Sequence, residues 1–373
     1  MRASRLLTLT VIAALVGCSD DTGAGAAGAG GDSSSGAGNP GSGAATSTGG
    51  GGQAQGGNAA GGGEGGQNQG AQGPGGGGQG QGGAASVPDP NLDGPFATMA
   101  VSGTTTVSAT GNMVAISGFA PSSGGPFPVV VIGHGFQLPT TQYEGYAQRL
   151  ASFGYVALLP DFPTSFFGTS HVDVARDMIG AIDWAATNAS VSSLADTTNV
   201  GMTGHSLGGK GALLAATYDS RVKAVIALDP VDSSMNCSPA DCPDVSALMP
   251  SLNLPTGFLG ETTDASGGFQ SCAPAADNYT TFYAGANSPS FQVTVNGANH
   301  MSFLDNLAGC GLTCSFCNAA TAPNAEVNGM SKAYVAAFFE RYLRDIGEYD
   351  AYLTGDVAIE RYVTPGKATI VSK

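Results

Sequence analysis

Met202-Thr203-Gly204-His205-Ser206-Leu207-Gly208-Gly209 is the stretch on which the reading of this chain turns. It is a G-x-S-x-G pattern set between an apolar run, Asn199–Gly204, and a helical pattern over Leu207–Tyr218. A strand that passes directly into a helix must turn so sharply that a side chain at Gly204 or Gly208 would collide with neighbouring backbone. Ser206 then projects from the turn at the helix N-terminus, where free N–H groups favour developing negative charge. A Gly-rich turn carries no chemistry by itself; the strand before it and the helix after it make Ser206 a candidate nucleophile. His205 fills the variable position of the motif and is read as structural.

Outward from this turn, short apolar runs alternate with helical patterns. Met113–Ser117, Pro128–Gly133, Tyr155–Pro160, Val222–Asp229, Thr256–Gly260 and Ser290–Val295 read as buried strands. Thr141–Phe153, Val172–Ala186 and Gly329–Asp345 read as helices, the last with Tyr334, Phe338, Phe339 and Tyr342 at helical spacing, the mark of a core face. Such alternation predicts an α/β domain with a mainly parallel, doubly wound sheet and right-handed crossovers. Ligands are then expected beyond the carboxyl ends of the strands. With the serine turn included, the pattern resembles the α/β-hydrolase fold.

In that fold the remaining machinery has assigned places. The run Pro128–Gly133 ends in Gly133-His134-Gly135-Phe136, a turn placed to supply one backbone N–H to an oxyanion, the residue after the nucleophile supplying the other. Phe136 and Leu207 are therefore the expected main-chain donors, with His134 bracing its loop. The triad runs in chain order serine, acid, histidine. Of His134, His171, His205 and His300, only His300 follows Ser206, and it lies just beyond the strand Ser290–Val295. Three acids compete. Asp229 ends a strand 23 residues beyond Ser206; Asp264 follows the next strand, the more usual position; Asp232 sits in the intervening loop. After Tyr155–Pro160 come Phe162, Phe166, Phe167 and His171, which either line an apolar substrate pocket or pack their loop against the core.

Four runs together carry a closer resemblance: Gly204-His205-Ser206-Leu207-Gly208-Gly209-Lys210, Ile226-Ala227-Leu228-Asp229-Pro230-Val231, Cys272-Ala273-Pro274 and Asn299-His300-Met301. They look like the chlorophyllase family over most of residues 125–345. The spacing from serine to acid is also similar to that of platelet-activating-factor acetylhydrolases. In both families the acid follows the strand after the nucleophile helix, so the resemblance points to Asp229. The chain departs from plant chlorophyllases where Leu207 replaces a common arginine, and Cys310–Cys317 falls in a variable stretch; these departures bear on a chlorophyll substrate, not on the triad. The Gly133–Phe136 loop is similar to that of bacterial cutinases and polyester hydrolases, whose acid position differs. The implied activity is hydrolysis of a carboxylic ester through Ser206, His300 and Asp229 without a cofactor or metal. A polyester or lipid depolymerase or a peptidase of the same fold is the alternative, and a non-catalytic, surface-anchored binding lipoprotein is the reading from another class.

The ends and the composition set the context. Arg2 and Arg5 precede an apolar run, Leu6–Val16, too short to span a bilayer as a mature helix, and Leu15-Val16-Gly17-Cys18 resembles a lipobox. Residues 1–17 are thus expected to be a lipoprotein signal peptide, and Cys18 the lipidated first residue of an exported protein at the outer membrane or cell surface. Residues 18–90, nearly all Gly, Ala, Gln, Ser and Asn, contain too little apolar surface to offset their ordering entropy and read as a disordered linker. Residues 91–373 form the expected catalytic domain, a monomer attached to membrane only through its N-terminal lipid. The chain has 13 basic and 28 acidic residues. Loss of Arg2 and Arg5 leaves 11 basic residues, a net charge of −17, and no basic stripe, which argues against nucleic acid. Six further cysteines, Cys237, Cys242, Cys272, Cys310, Cys314 and Cys317, read as disulfides in an oxidising compartment. Cys237 and Cys242 flank a short loop and can close on each other. The spacing of Cys310, Cys314 and Cys317 matches that of cluster-binding radical enzymes, but no other part of that machinery is present.

Overall fold

The computed structural model describes residues 87–233, 237–265 and 272–373. The expected signal peptide, Cys18 and the linker up to residue 86 lie outside the described residues. Within them one sheet runs β1 (Thr98–Thr106), β2 (Met113–Pro121), β3 (Phe127–Gly133), β4 (Val156–Asp161), β5 (Ala195–His205), β6 (Val222–Leu228), β7 (Thr256–Glu261), β8 (Ser290–Val295) and β9 (Ala368–Ser372) in chain order. In space the order is β1-β2-β4-β3-β5-β6-β7-β8-β9. β4 through β8 are parallel, and β1, β2 and β9 are antiparallel additions at the two edges. This is the α/β-hydrolase architecture, with the expected doubly wound sheet.

The strand order reverses between β3 and β5, and that is where the sheet opens for a ligand. The chain leaves β3 toward β4 on one side and reaches β5 on the other, with Gly133 paired to Gly204. The two turns singled out from the sequence therefore leave the sheet side by side.

Alternation along β3 sorts its side chains to two cores. Val129 and Val131 pack with Val174, Met178, Leu213 and Leu214 from α2 (His171–Thr187) and α3 (Leu207–Tyr218). Val130 and Ile132 pack on the opposite face with Tyr146, Leu150, Tyr334 and Phe338 from α1 (Glu144–Ser152) and α5 (Asn324–Tyr342). A strand buried on both faces needs an unbroken apolar run, which is why Pro128–Gly133 was readable. β1 and β9 were not expected. β1 is rich in Thr and Ser with an exposed face, and it gains its order from pairing with β2 rather than from its own apolar content. The helix expected over Thr141–Phe153 opens with a 3₁₀ turn, Thr140–Tyr143, and that expected over Gly329–Asp345 begins earlier, at Asn324, directly after the extended N-cap residue Pro323. A short helix, α4 (Tyr279–Gly285), joins β7 to β8 and was not anticipated.

The folded unit also starts before residue 91. Val87 packs on the core; Asp89 takes a two-pronged ion pair from Arg361 (2.7 and 2.6 Å), and Tyr349 donates to the Pro88 carbonyl (3.0 Å). Residues 87–90, expected as the end of the linker, are docked because the C-terminal segment supplies their partners. No helix among the described residues is long and apolar enough to cross a membrane.

The elbow itself is a contact of three glycines. A Cβ on Gly204 would lie 2.5 Å from the Gly208 carbonyl, and one on Gly208 would run into the Gly133 carbonyl. Replacing Gly208 by alanine must therefore push β3 away from α3. The Gly208→Ala protein is expected to lose on the order of 3 kcal/mol of stability or to fail to fold, measured by denaturant melts; a cost below 1 kcal/mol would mean that the elbow is not set by this contact.

Candidate active site

Three strand ends deliver the candidate triad. Ser206 follows β5 with φ +56° and ψ −119°, a conformation that a non-glycine residue holds only under constraint. Its own N–H bonds to the Leu228 carbonyl at the end of β6 (3.0 Å), and its carbonyl accepts from Lys210 N–H (3.0 Å), opening α3. Asp229 follows β6, also at positive φ (+42°), with its N–H on the Leu259 carbonyl (2.7 Å). His300 follows β8 in a 3₁₀ turn, His300–Phe303, capped reciprocally by Asn299 and Ser302. His300 Nε2 lies 2.8 Å from Ser206 Oγ, and Nδ1 lies 2.6 Å from Asp229 Oδ2. Asp229 is fully buried and His300 nearly so, while Ser206 is half-buried. The structure thus brings Ser206, His300 and Asp229 into one hydrogen-bonded line. Asp229 can only accept, so the network assigns the hydrogen to Nδ1 and leaves Nε2 bare toward the hydroxyl.

The other two acids are occupied elsewhere. Asp264 Oδ2 accepts the backbone N–H of His300 (2.8 Å) and Oδ1 that of Asn318 (2.8 Å). It holds the loop of the histidine rather than its ring. The disulfide Cys272–Cys317 ties the same two connections together next to Asn318. Asp232 caps the turn at Val245 and Ser246 and pairs with the buried ammonium of Lys210 (2.9 Å). The remaining cysteines pair as Cys237–Cys242, the closure anticipated from the sequence, and Cys310–Cys314. Asp264, Cys272 and Cys317 offer donor atoms within 4.8 Å of one another, but both sulfurs belong to one disulfide and present no thiolate.

The turn after β3 is braced at the Gly135 carbonyl. The Gly135 carbonyl lies 2.9 Å from His134 Nδ1 and accepts from Leu138 N–H (3.2 Å). In a trans peptide the Phe136 N–H points the opposite way. Leu207 is the first residue of α3, so its N–H has no partner within the helix. His134 stacks on Phe162 (centroids 3.8 Å apart) and helps line a groove of about 500 Å³ with Met113, Gln137, Leu138, Asp161 and Thr164.

The four pocket candidates separate. Phe162 is buried under His134, and His171 is buried as the first residue of α2, where burial and the nearby Lys210 charge push its pKa down to about 3. Both side chains pack inward, Phe162 also lining the groove beside His134. Phe166 lies edge-on to Phe136 at 5.1 Å, and Phe167 is almost wholly exposed. Gln137 ties the two loops together through Thr164 (2.8 Å).

A third carboxyl stands behind the triad. Glu261 ends β7 and accepts from the backbone N–H groups of Thr263 and Asp264 with one oxygen, the other being buried without a hydrogen-bond partner. Burial, then the neighbouring Asp229 charge, raise its pKa to about 7. Burial alone would lower the pKa of His300, but the hydrogen bond and charge of Asp229, with Asp264 and Glu261 behind it, raise it above the usual imidazole value. Sequence reading passed over Glu261; a carboxyl at the end of an apolar strand, next to a second acid, was the signal available.

The family model described as Chlorophyllase matches residues 93–358. Chlorophyllase-2 of Arabidopsis thaliana is 26% identical over 254 residues, which is 63% of this chain and 76% of that protein. Bis(hydroxyethyl) terephthalate hydrolase of Streptomyces coelicolor is 26% identical over 236 residues, 62% of each chain. Cutinase 2 of Thermobifida cellulosilytica is 26% identical over 167 residues, 44% of this chain and 56% of that protein.

Glu261 gives the site a pH signature. Its folded pKa exceeds the unfolded value of 4.5, so the stability it contributes is complete below pH 4.5 and is lost as pH rises through about 7. Glu261→Gln removes that ionisation. The variant is expected to melt several degrees above wild type at pH 8 and to lose that advantage at pH 4.5; an equal difference at both pH values would refute the assignment.

Proposed function

The chain belongs to the chlorophyllase family of α/β-hydrolases, and on that premise we propose that it hydrolyses carboxylic esters with Ser206 as nucleophile, His300 as general base and Asp229 as the triad acid. The observation that carries this reading is the continuous line from Ser206 Oγ through His300 to Asp229 at the carboxyl edge of the sheet. Relatives named for hydrolysis of terephthalate esters and for cutinase activity support an ester as the substrate.

In this mechanism His300 Nε2 takes the hydroxyl proton as Ser206 Oγ attacks the ester carbonyl. The imidazolium formed is stabilised by Asp229, which is already aligned on Nδ1. The N–H groups of Phe136 and Leu207 hold the tetrahedral oxyanion, each donor worth about 3 kcal/mol in sites of this kind. His300 then returns its proton to the departing alcohol. Water attacks the acyl-enzyme with His300 again as base, releasing the acid. The raised pKa of His300 places the loss of activity on acidification above pH 6.5, because only the neutral ring can accept the proton.

A second reading, a depolymerase of ester polymers or lipids, is favoured by the exposed Phe166, edge-on to Phe136, and by the exposed Phe167 next to it in sequence. We further propose that the enzyme is exported and acylated at Cys18. The pairing of all six cysteines from Cys237 to Cys317 suits an oxidising compartment.

A p-nitrophenyl ester chain-length series tests the chemistry. Ser206→Ala is expected to lose on the order of 10⁶ in kcat and Asp229→Asn about 10⁴, with Asp264→Asn affected less than Asp229→Asn. A larger loss from Asp264→Asn would transfer the acid role. Metabolic labelling with palmitate should mark the wild type and not Cys18→Ser; equal labelling would remove the anchor.

A further inference from the structure

Ser206, Phe136 and His300 stand on three separate connections, and one buried chain of hydrogen bonds joins all three without touching a reacting atom. The Gly135 N–H donates to Tyr143 Oη (3.0 Å). Tyr143 Oη lies 3.0 Å from His205 Nδ1, and His205 Nε2 lies 2.8 Å from the His300 carbonyl oxygen. Tyr143 and His205 are completely buried.

The hydrogens on this chain can be placed by elimination. A carbonyl only accepts, so His205 Nε2 carries a hydrogen toward His300. Burial, and then the adjacent His300, hold His205 far below the ordinary histidine pKa, so the ring is neutral and its Nδ1 is bare. Tyr143 must therefore donate to Nδ1 and accept from Gly135 with a lone pair. Every donor and acceptor is used once, in one direction, as a fully satisfied buried network requires.

The same contact accounts for Gly135. A Cβ there would lie 3.0 Å from His205 Nδ1 and 3.2 Å from Tyr143 Oη, so a side chain would wedge into the junction. The His205 ring sits 4.5 Å from the His300 ring, centroid to centroid, close enough for a shift of one to move the other.

We propose that Tyr143 and His205 form a positioning relay that couples the oxyanion turn to the base-bearing loop through the residue preceding the nucleophile. The relay sets where the Phe136 N–H stands relative to the His300 ring. It rests on Ser206 being the nucleophile, as proposed above. His205 and Tyr143 are positioning residues: neither contacts Ser206 Oγ, and their effect is on geometry, where a displacement of about 1 Å can cost on the order of 100-fold in rate.

Two amides dissect the relay. The Gln amide reaches where Nε2–H stood and can still donate to the His300 carbonyl, whereas the shorter Asn amide reaches only the Tyr143 side. Each variant, with Tyr143→Phe, is followed by its melting temperature, by kcat and KM on a soluble ester, and by the rate of Ser206 labelling with a fluorophosphonate. His205→Asn is expected to fall about 100-fold in both kcat and labelling rate with KM within about threefold of wild type, and Tyr143→Phe at least tenfold; His205→Gln should recover to within about fivefold of wild type. Folded variants that all label at the wild-type rate overturn the proposal, as does His205→Gln performing no better than His205→Asn. If His205→Asn does not fold, Tyr143→Phe decides: wild-type kcat and labelling in a folded protein refute the relay. Wild-type protein that takes no label overturns instead the nucleophile assignment beneath it.

Discussion

Close backbone contact between β3, β5 and α3 is the constraint on which the site depends. Gly133, Gly204 and Gly208 meet at the point where the strand order reverses, and none of them has room for a Cβ. That contact lets α3 begin immediately after β5, which forces Ser206 into its left-handed conformation and lifts its hydroxyl clear of the backbone. It also places the two N–H groups proposed for the oxyanion on adjacent connections. A wider strand–helix spacing would leave the hydroxyl lying along the sheet, and no arrangement of acid and base could then reach it.

The second constraint is electrostatic. Asp229, Glu261 and Asp264 are all buried at the ends of neighbouring strands or just beyond them, where an unpaired carboxylate is costly. The fold distributes their lone pairs: Asp229 to the His300 ring, Asp264 to the backbone of His300 and Asn318, Glu261 to the backbone of Thr263 and Asp264. The hydrogen bond and charge of Asp229, with the carboxyls behind it, raise the basicity of His300, and burial first, then the Asp229 charge, push Glu261 up to about 7. A neutral imidazole beside a carboxylate is what proton removal from a serine requires. The disulfide Cys272–Cys317 and the Asp264 hydrogen bonds hold the loop against that repulsion.

Two of the three histidines outside the candidate triad show how rigidity is obtained without a long loop. His134 braces the Gly135 carbonyl and stacks on Phe162, and His205 reaches from the elbow to the His300 carbonyl. Both read as structural from sequence, and both are buried as neutral rings. Their role is defined only by which atoms face them.

Local chemistry was enough for much of this molecule. Runs apolar on both faces, such as Pro128–Gly133, announced the central strands, and the glycine spacing around Ser206 announced the elbow, because each is a short-range steric or burial requirement written in consecutive residues. His300 was legible by elimination, being the one histidine after the serine. Edge strands β1 and β9 were not legible, since their order comes from a neighbour's open hydrogen-bonding edge rather than from their own composition. Nor could the chain alone, without the family resemblance, separate Asp229 from Asp264: both follow strands, and only the packing of β8 beside β7 decides which carboxylate meets the ring and which meets the backbone. The same holds for the pocket candidates, where Phe162 and His171 turned inward and Phe167 outward because a loop's burial is set by what crosses it. Short-range patterns depend on residues that are neighbours in the chain; a charge network depends on residues 36 to 94 positions apart, and only the folded sheet brings them together.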